Sequence, residues 1–425
     1  MRFFLAAALV ISLAACEKEK GDDHVTCEAP GGCGAVHSTL GTGEAHATLL
    51  ADRNGGVYAA LFGSGFEAQS CSGGIICHGE LWRIDKYGNV RWKSKEKKSV
   101  YDPFLVPGGV GYVTGAGKVV VLDADGDERF SVSTDDPLLA ASVIDGALYI
   151  AAGGALSRFD LESGDEIWSE PAAEAQPVPA VGTGDGLILT MGFTVGTSGS
   201  LTARAFEAPD GKAAWTATLP AQLSAPGLIP GYDQGFGSEL APTMLVSDTL
   251  SLRGWTGVTV WEVASVEGFR FVSRSRSNGF FAGGPYFDSV TEYRVNGTVA
   301  WSRPMTGAVT WVVPTPDGHV LVGQQDGVVR KLKGNEGTTL WDYGNVDSVQ
   351  SQSPPIFGGN GNLVFWGANI GVESDTHVST VTPFGQGIDR WNTGARITSG
   401  ALSNDDDVFV STLDGRIYLR DAAQF

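Results

Sequence analysis

The chain has 425 residues, 59 of which are glycine, and its formal net charge at pH 7 is −19. Nucleic acids and anionic membrane surfaces are bound through an excess of Lys and Arg, so this charge argues against both as partners. After the N-terminus no long segment has helical periodicity, whereas short apolar runs alternate with glycine-containing turns. This pattern predicts an all-β fold.

The first residues have the features of an export signal. Arg2 provides the positive end, residues 3–13 the apolar stretch, and Leu13-Ala14-Ala15-Cys16 the processing site. This box resembles the bacterial lipobox, which implies that residues 1–15 are a lipoprotein signal peptide and that Cys16 is lipidated. Glu17 is not the aspartate linked to inner-membrane retention, which favours the outer membrane. An ordinary secretory signal is the alternative, and the apolar run is too short for a good transmembrane helix.

Residues 16–44 follow this signal and begin with a polar, charged and glycine-rich stretch. Such a composition cannot bury enough apolar surface to fold by itself. We therefore predict that residues 16–44 form a flexible tether between the lipid and a globular part at residues 45–425.

Four cysteines remain after the lipidated one, and an even number in an exported chain predicts two disulfides. They are Cys27, Cys33, Cys71 and Cys77. Five residues separate the members of each local pair, so we expect Cys27 to bond to Cys33 and Cys71 to Cys77. Sequence alone leaves three pairings open. A four-thiolate zinc site is the alternative, although the Cys-x-x-Cys spacing of such sites is absent.

A short unit recurs along the globular part: a glycine, three residues, and then an aromatic residue. Successive aromatics are 38 to 50 residues apart. They are Trp92, Phe130, Trp168, Trp215, Trp261, Trp301, Trp341 and Trp391. A period of this length predicts a repeat architecture, here a single β-propeller of four-stranded blades over residues 45–425. Glycine supplies the positive φ of the turn, and we expect the aromatic ring to dock one blade on the next.

The end of the chain bears on the number of blades. Strand patterns occur at residues 408–411 and 417–420, but no aromatic turn follows them. We expect a strand within residues 36–50 to complete this last blade, so that N- and C-terminal strands close the propeller. Seven secure aromatic turns and the split blade predict eight blades. A full blade at the Gly257 unit would make nine, and merging elsewhere would make seven.

The repeat resembles a known family. Residues 159–168, which end in Trp168, have the strand, aspartate, small-residue turn and Gly-x-x-x-Trp of the pyrroloquinoline-quinone-type propeller repeat. The turns that end in Trp92 and Phe130 follow it closely. The family includes quinone-dependent alcohol dehydrogenases and non-enzymatic lipoproteins of outer-membrane assembly, and the lipobox favours the second group.

No set of catalytic residues stands out. The resemblance implies that a quinone enzyme would carry a disulfide between adjacent cysteines, calcium ligands and an aspartate base. This chain has no adjacent cysteines and no Cys-x-x-Cys-His. We interpret the aspartates at 123, 125 and 127, and those at 405–407, as solvated turns. The sequence therefore predicts no catalytic residue, no cofactor and no metal.

The sequence thus predicts a monomeric, lipid-anchored, non-enzymatic propeller of the bacterial cell envelope. We expect the lipid to be its only contact with the membrane. It would bind an envelope protein or peptide in the outer-membrane assembly pathway. The repeat is most irregular at residues 216–290, so we expect the partner there, with Arg253 and Trp255 as contacts. The alternative is a quinone-dependent dehydrogenase, or a ligand- or sugar-binding propeller, that uses the central channel.

Overall fold

The computed structural model describes most of the chain from residue 26 to residue 420. The described residues are 26–28, 33–37, 46–52, 54–62, 79–96, 100–134, 136, 139–172, 177–182, 186–194, 200–220, 227–229, 243–246, 249–253, 259–264, 271–274, 279–283, 288–294, 296–344, 349–351, 355–369, 376–403, 406–412 and 416–420. Within them all regular structure is β-strand, which confirms the all-β prediction. None of these residues lies in a helix suited to span a bilayer.

The first two strands belong to the last sheet. They are β1 (Thr26–Glu28) and β2 (Cys33–His37), which pair with each other and join sheet 9, described below. Sheet 1 contains β3 (His46–Ala51), β4 (Val57–Phe62), β5 (Gly79–Ile84) and β6 (Val90–Glu96). Sheet 2 contains β7 (Val100–Val106), β8 (Gly109–Thr114), β9 (Lys118–Asp123) and β10 (Glu128–Ser133).

Sheets 3 to 5 repeat this antiparallel order. Sheet 3 contains β11 (Ala140–Ile144), β12 (Ala147–Ala152), β13 (Ala155–Asp160) and β14 (Glu166–Pro171). Sheet 4 contains β15 (Pro177–Gly182), β16 (Leu187–Thr194), β17 (Ser200–Glu207) and β18 (Ala213–Pro220). Sheet 5 contains β19 (Gly227–Ile229), β20 (Thr243–Val246), β21 (Thr249–Arg253) and β22 (Thr259–Ala264).

Sheets 6 to 8 continue the series. Sheet 6 contains β23 (Phe271–Arg274), β24 (Gly279–Gly283), β25 (Ser289–Arg294) and β26 (Val299–Pro304). Sheet 7 contains β27 (Val309–Pro314), β28 (Val320–Gln324), β29 (Val329–Leu332) and β30 (Thr339–Tyr343). Sheet 8 contains β31 (Val349–Ser351) and β32 (Ile356–Phe357), which both pair with β33 (Leu363–Asn369), and then β34 (Thr376–Val381) and β35 (Gly387–Asn392).

Sheet 9 combines strands from both ends of the chain. It contains β36 (Ile397–Leu402), β37 (Val408–Thr412) and β38 (Arg416–Arg420), and its order is β36-β37-β38-β2-β1. In this sheet β2 takes the fourth position, since Cys33 lies opposite Arg420 and His37 opposite Arg416.

The hydrophobic core lies between neighbouring sheets. One cluster joins Tyr58 of sheet 1 to Tyr112 of sheet 2, and similar clusters join sheets 2 and 3, 3 and 4, 6 and 7, 7 and 8, and 8 and 9. Strands of sheet 5 contact those of sheets 4 and 6. Sheet 9 in turn packs on sheet 1, where Phe409 and Trp82 share one cluster. Each sheet therefore buries its faces against its two neighbours, as expected for a repeat protein.

Two features differ from the sequence-based expectations. The described strands form nine sheets and not eight, because the irregular Gly257 unit also forms a four-stranded sheet, sheet 5. The N-terminal strand that pairs with β38 lies at residues 33–37 and not at 36–50, so it falls inside the segment predicted as a tether. The second difference has a physical reason: β2 is a short strand, and its partner β38 lies at the other end of the chain.

The antiparallel order gives the molecule two distinct faces. Turns between first and second strands, and between third and fourth strands, lie on one face, which we call the turn face. The glycine-to-aromatic units lie there. Connections between second and third strands, and from sheet to sheet, lie on the opposite face.

Candidate functional site

On the turn face, an aspartate at the end of the third strand shapes the turn that leads into the fourth strand. The Asp85 carboxylate accepts hydrogen bonds from the backbone N–H groups of Tyr87 (2.9 Å) and Asn89 (2.8 Å). Asp123 accepts from the N–H groups of residues 125 and 127 in the same way. At Asp160, backbone hydrogen bonds from Ser163 and Glu162 lower the pKa of the carboxyl. These aspartates therefore fold the turns, which is a structural role.

Several of the aromatic residues that follow these turns contact the turn of the following sheet. The Nε1–H of Trp92 donates a hydrogen bond to the carbonyl oxygen of Ala124 over 2.9 Å. The same bond joins Trp168 to Ala208 (3.1 Å), Trp301 to Gly334 (2.8 Å) and Trp341 to Pro383 (3.0 Å). We call this bond the indole latch. It connects residues that lie in successive sheets.

In five of these turns a glycine makes room for the ring that arrives from the preceding sheet. A Cβ atom on Gly126, whose φ is 90°, would lie 2.7 Å from the indole of Trp92. The same holds for Gly164 on Phe130 (2.6 Å), Gly211 on Trp168 (2.7 Å), Gly385 on Trp341 (2.7 Å) and Gly337 on Trp301. The glycine is thus required both for positive φ and for the close approach of the ring.

Cations on the third strands share the carbonyl oxygens of the indole latches. Arg83 donates to Ala124 over 2.6 Å, as Arg158 does to Ala208 (3.1 Å) and Lys331 to Pro383 (3.3 Å). A carbonyl oxygen has two lone pairs and can accept both donors. Each of these cations lies opposite the tryptophan of its own sheet, a pairing that only the strand register of the folded protein reveals.

Phe130 is the one aromatic of the repeat that has no N–H to donate. Its neighbour Arg129 donates from Nη2 to the carbonyl oxygen of Leu161 over 3.1 Å. Leu161 follows Asp160 just as Ala124 follows Asp123. The guanidinium therefore takes the place of the missing indole N–H in the contact between sheets 2 and 3.

Carboxylates of the first turns hold two of these cations in position. Arg83 pairs with Asp52 (2.9 Å), and Lys331 pairs with Asp317 (2.6 Å). Partial burial raises the pKa of Asp317, but hydrogen bonds from Lys331 and Thr315 and the Lys331 charge outweigh it and lower the pKa to about 2. Asp317 therefore stays charged over the whole neutral range.

A cleft of about 430 Å³ opens on the turn face between sheets 1 and 2. Asp52 and Arg83 line its base, and Tyr87, which is 69 % exposed, stands at its rim. Arg91, also at the cleft, pairs with Asp85 over 2.7 Å. Asp52, Arg83, Asp85 and Arg91 thus already have charged partners within the protein. Across the described residues no group of three or more His, Cys, Asp or Glu could hold a metal ion.

Two aspartates of the 405–407 run are not simply exposed to solvent. Asp406 has a φ of 66°, and its carboxylate accepts a hydrogen bond from the N–H of Gly359 in sheet 8 over 2.6 Å. Asp407 is buried. This turn therefore joins sheets 8 and 9, which corrects its interpretation as a solvated turn.

Several predicted site residues cannot be placed. The side chains of Arg253 and Trp261 and the whole of Trp255 lie outside the described residues. The same is true of Cys16, Cys71 and Cys77 and of the side chains of Cys27 and Cys33. Lipidation, both disulfides and the partner contact therefore stay predictions.

Comparisons with known proteins support the repeat and the fold. Residues 78–230 match the family model described as outer membrane protein assembly factor BamB. The crystal structure of BamB from Moraxella catarrhalis is similar, with a TM-score of 0.50 and 14 % identity over 93 % of this chain and 97 % of that one. The computationally designed Ika8 protein is also similar, with a TM-score of 0.53 and 13 % identity over 77 % of this chain and 97 % of that one. No curated protein sequence matches the chain.

These similarities confirm the resemblance on which the sequence analysis relied. Residues 78–230 are similar to the BamB-like, pyrroloquinoline-quinone type of repeat, and the fold of the chain is the β-propeller.

Proposed function

We propose that this protein is a lipid-anchored, non-enzymatic β-propeller of the bacterial cell envelope that acts as a protein-binding scaffold in outer-membrane protein assembly. The family-model match over residues 78–230 carries the proposal, and the similarity to the BamB structure over nearly the whole chain agrees with it. The lipobox at Cys16 supports the anchor and the outer membrane. Nine blades, closed by sheet 9 against sheet 1, form the scaffold.

The chemistry of the turn face also favours a scaffold over an enzyme. The partly buried Arg83 and the buried Lys331 are held by carboxylates, and each also donates a hydrogen bond to a carbonyl oxygen. Groups bound in this way stabilise contacts between sheets and are poorly placed to move protons for a substrate. The partner is an envelope protein or peptide, and the protein itself works as a monomer.

The partner contact can be tested by crosslinking the lipoprotein in its native membrane and identifying what is captured. We expect the double substitution Arg253→Glu, Trp255→Ala to weaken capture at least about thirtyfold, because interface hot spots are worth 2 kcal/mol or more. Tyr87→Ala is the matched control: it removes an exposed aromatic from sheet 1, where we expect no partner, and should leave capture unchanged.

Two outcomes would contradict the proposal. Undiminished capture by a correctly folded double variant would exclude the region around Trp255 as the contact. Binding of pyrroloquinoline quinone with calcium, together with dye-coupled alcohol oxidation, would show a quinone-dependent dehydrogenase, and a bound sugar or other small molecule in the central channel would show a ligand-binding propeller.

A further inference from the structure

The fourth strand of sheet 1, β6, differs in charge from the fourth strands of the other sheets. It carries three cations, Arg91, Lys93 and Lys95, whereas no other fourth strand in the described part of the chain has more than one Lys or Arg. Lys86, in the turn before β6, adds a fourth cation, and residues 86–95 contain no carboxylate. We call these four cations the basic edge.

The basic edge lies at the circumference of the propeller. The first strands of successive sheets contact each other, as β3 does with β7 and with β36, so the fourth strands lie outermost. The side chain of Arg91 is 58 % exposed, and Lys86 is exposed as well. Lys93 is half-buried, because its ammonium lies 4.0 Å from the centroid of the Trp82 ring. The basic edge is therefore accessible from outside the ring.

The carboxylates nearest to the basic edge are engaged within the protein. Asp85, which is 13 % exposed, pairs with Arg91 and accepts hydrogen bonds from N–H groups of its own turn. Glu96, at the end of β6, accepts a hydrogen bond from the hydroxyl of Tyr112 in sheet 2 over 2.7 Å. Glu80, on the neighbouring strand, is buried. The basic edge thus presents an excess of positive charge to its surroundings.

Protection of an exposed edge does not explain this excess. Lysine on an edge strand hinders pairing with other chains. Other fourth strands, such as β14 and β18, lie at the same kind of edge without any Lys or Arg. The concentration of cations in sheet 1 therefore points to an anionic partner that contacts this side of the propeller.

The N-terminal strands lie next to the basic edge. Sheet 9 packs on sheet 1, and its outermost strand is β1. Thr26, the first residue of β1, is ten residues after Cys16, and an extended chain of that length spans at most about 35 Å. A lipid on Cys16 would thus hold the outer edges of sheets 9 and 1 near the membrane.

We propose that the basic edge binds the anionic headgroups of phospholipids, so that the propeller lies against the membrane with sheets 9 and 1. Lys and Arg donate charge-assisted hydrogen bonds to phosphate oxygens. The net charge of −19 argues against such a surface only as an average, because at physiological salt a charge acts over about 8 Å. The proposal rests on the lipid anchor of the proposed function, but its test does not use that anchor.

The test uses the mature chain, residues 16–425, with Cys16→Ser, so that binding depends on the protein surface alone. Cosedimentation compares vesicles of phosphatidylcholine with vesicles that contain about one third phosphatidylglycerol, and we expect binding only to the second kind. Each Lys near an anionic surface strengthens binding about fivefold. The combined substitutions Lys86→Gln, Lys93→Gln and Lys95→Gln should therefore weaken binding about a hundredfold.

The matched control removes the same charge from sheets 2, 4 and 7. It combines Lys118→Gln, Lys212→Gln and Lys333→Gln, and it should leave binding unchanged because these residues lie away from the basic edge.

A second variant covers the case that the first one fails to fold. Lys86→Gln with Lys95→Gln keeps Lys93 on the Trp82 ring and should weaken binding about twentyfold.

Three results would overturn the proposal. They are equal binding to both kinds of vesicle, equal losses in the basic-edge and control variants, and no binding by the chain with an intact basic edge. In the last case, loss of a captured protein from native membranes on substitution of the basic edge would identify an acidic protein segment as the occupant. Mass spectrometry of the lipoprotein measures lipidation of Cys16 separately, so failure of the anchor and failure of the basic edge are distinguishable.

Discussion

At the scale of single residues, a main-chain carbonyl oxygen in the turn of one sheet accepts hydrogen bonds from the preceding sheet at several of the contacts between sheets. The Ala124 oxygen accepts from Trp92 and Arg83, and Arg83 is held in turn by Asp52. Such charge-assisted hydrogen bonds are about twice as strong as neutral ones. Where the aromatic is Phe130, Arg129 supplies the donor instead. The requirement is therefore for a donor at this point, and more than one side chain can meet it.

The pair of Lys331 and Asp317 makes part of the stability depend on pH. The pKa of Asp317 in the folded protein, about 2, lies below its ordinary value of 3.8. A lowered pKa means that the carboxylate stabilises the fold above about pH 4 and that this contribution is lost as the pH falls towards 2. We expect Asp317→Asn to lower the melting temperature at pH 7 by a small amount, since the carboxylate is half exposed and screened.

The measurement is a set of thermal melts of the wild type and Asp317→Asn between pH 2 and 7. The difference between the two melting temperatures should be largest at pH 5–7 and should decrease as the pH approaches 2. Asp125→Asn, which removes an exposed carboxylate from a turn, is the control for net charge. A difference that stays constant over the whole range would contradict the role given to Asp317.

At the scale of the structural element, the turn between third and fourth strands has two tasks. It reverses the chain, and it receives a ring from the sheet before it. Glycine serves both, as Gly337 shows with its φ of 66° and its contact with Trp301. Gly146 has a similar φ of 77° in the turn after β11, but a Cβ atom there would meet nothing within 4 Å. Comparison of the two positions thus separates the effect of backbone strain from the effect of steric contact with the ring.

We expect Gly337→Ala to destabilise the protein more than Gly146→Ala. Both substitutions place alanine at positive φ, at a cost of about 1–2 kcal/mol. Gly337→Ala also forces the new methyl group against the Trp301 indole, and overpacking of this kind adds about 1–3 kcal/mol. Chemical denaturation of both variants measures the difference. Equal losses of stability would show that the ring can move away at no cost.

At the scale of the whole molecule, the contact of sheet 9 with sheet 1 brings the two ends of the chain together. Leu49 of sheet 1 and Phe409 of sheet 9 share a cluster, and the Leu49 N–H donates to Ser399 Oγ over 3.1 Å. Sheet 9 itself depends on β2, which covers the edge of β38. An uncovered edge strand is a template for pairing with other chains.

Deletion of residues 17–37, which removes β1 and β2, should therefore lower the melting temperature and cause aggregation. Deletion of residues 17–25 alone shortens the same segment but leaves both strands, and we expect it to behave as the wild type. Thermal melts and size-exclusion chromatography distinguish the two. A monomeric, fully stable protein without residues 17–37 would show that β2 is dispensable.

The sequence determined the features that depend on near neighbours. Alternating apolar runs and glycine turns predicted an all-β repeat protein, and the spacing from glycine to aromatic located turns that lead into fourth strands, such as the one before Trp168. These features could be predicted because turn geometry is set by a few adjacent residues.

Tertiary structure alone decided the features that depend on distant residues. The acceptor of each indole lies 32 to 42 residues away, and nothing near Trp92 in the sequence indicates Ala124. The ninth sheet, the place of β2 and the sharing of carbonyl oxygens by Arg83 and Lys331 arise in the same way. Contacts between sheets are made between surfaces that form only after the strands have paired, so no local pattern in the sequence reports them.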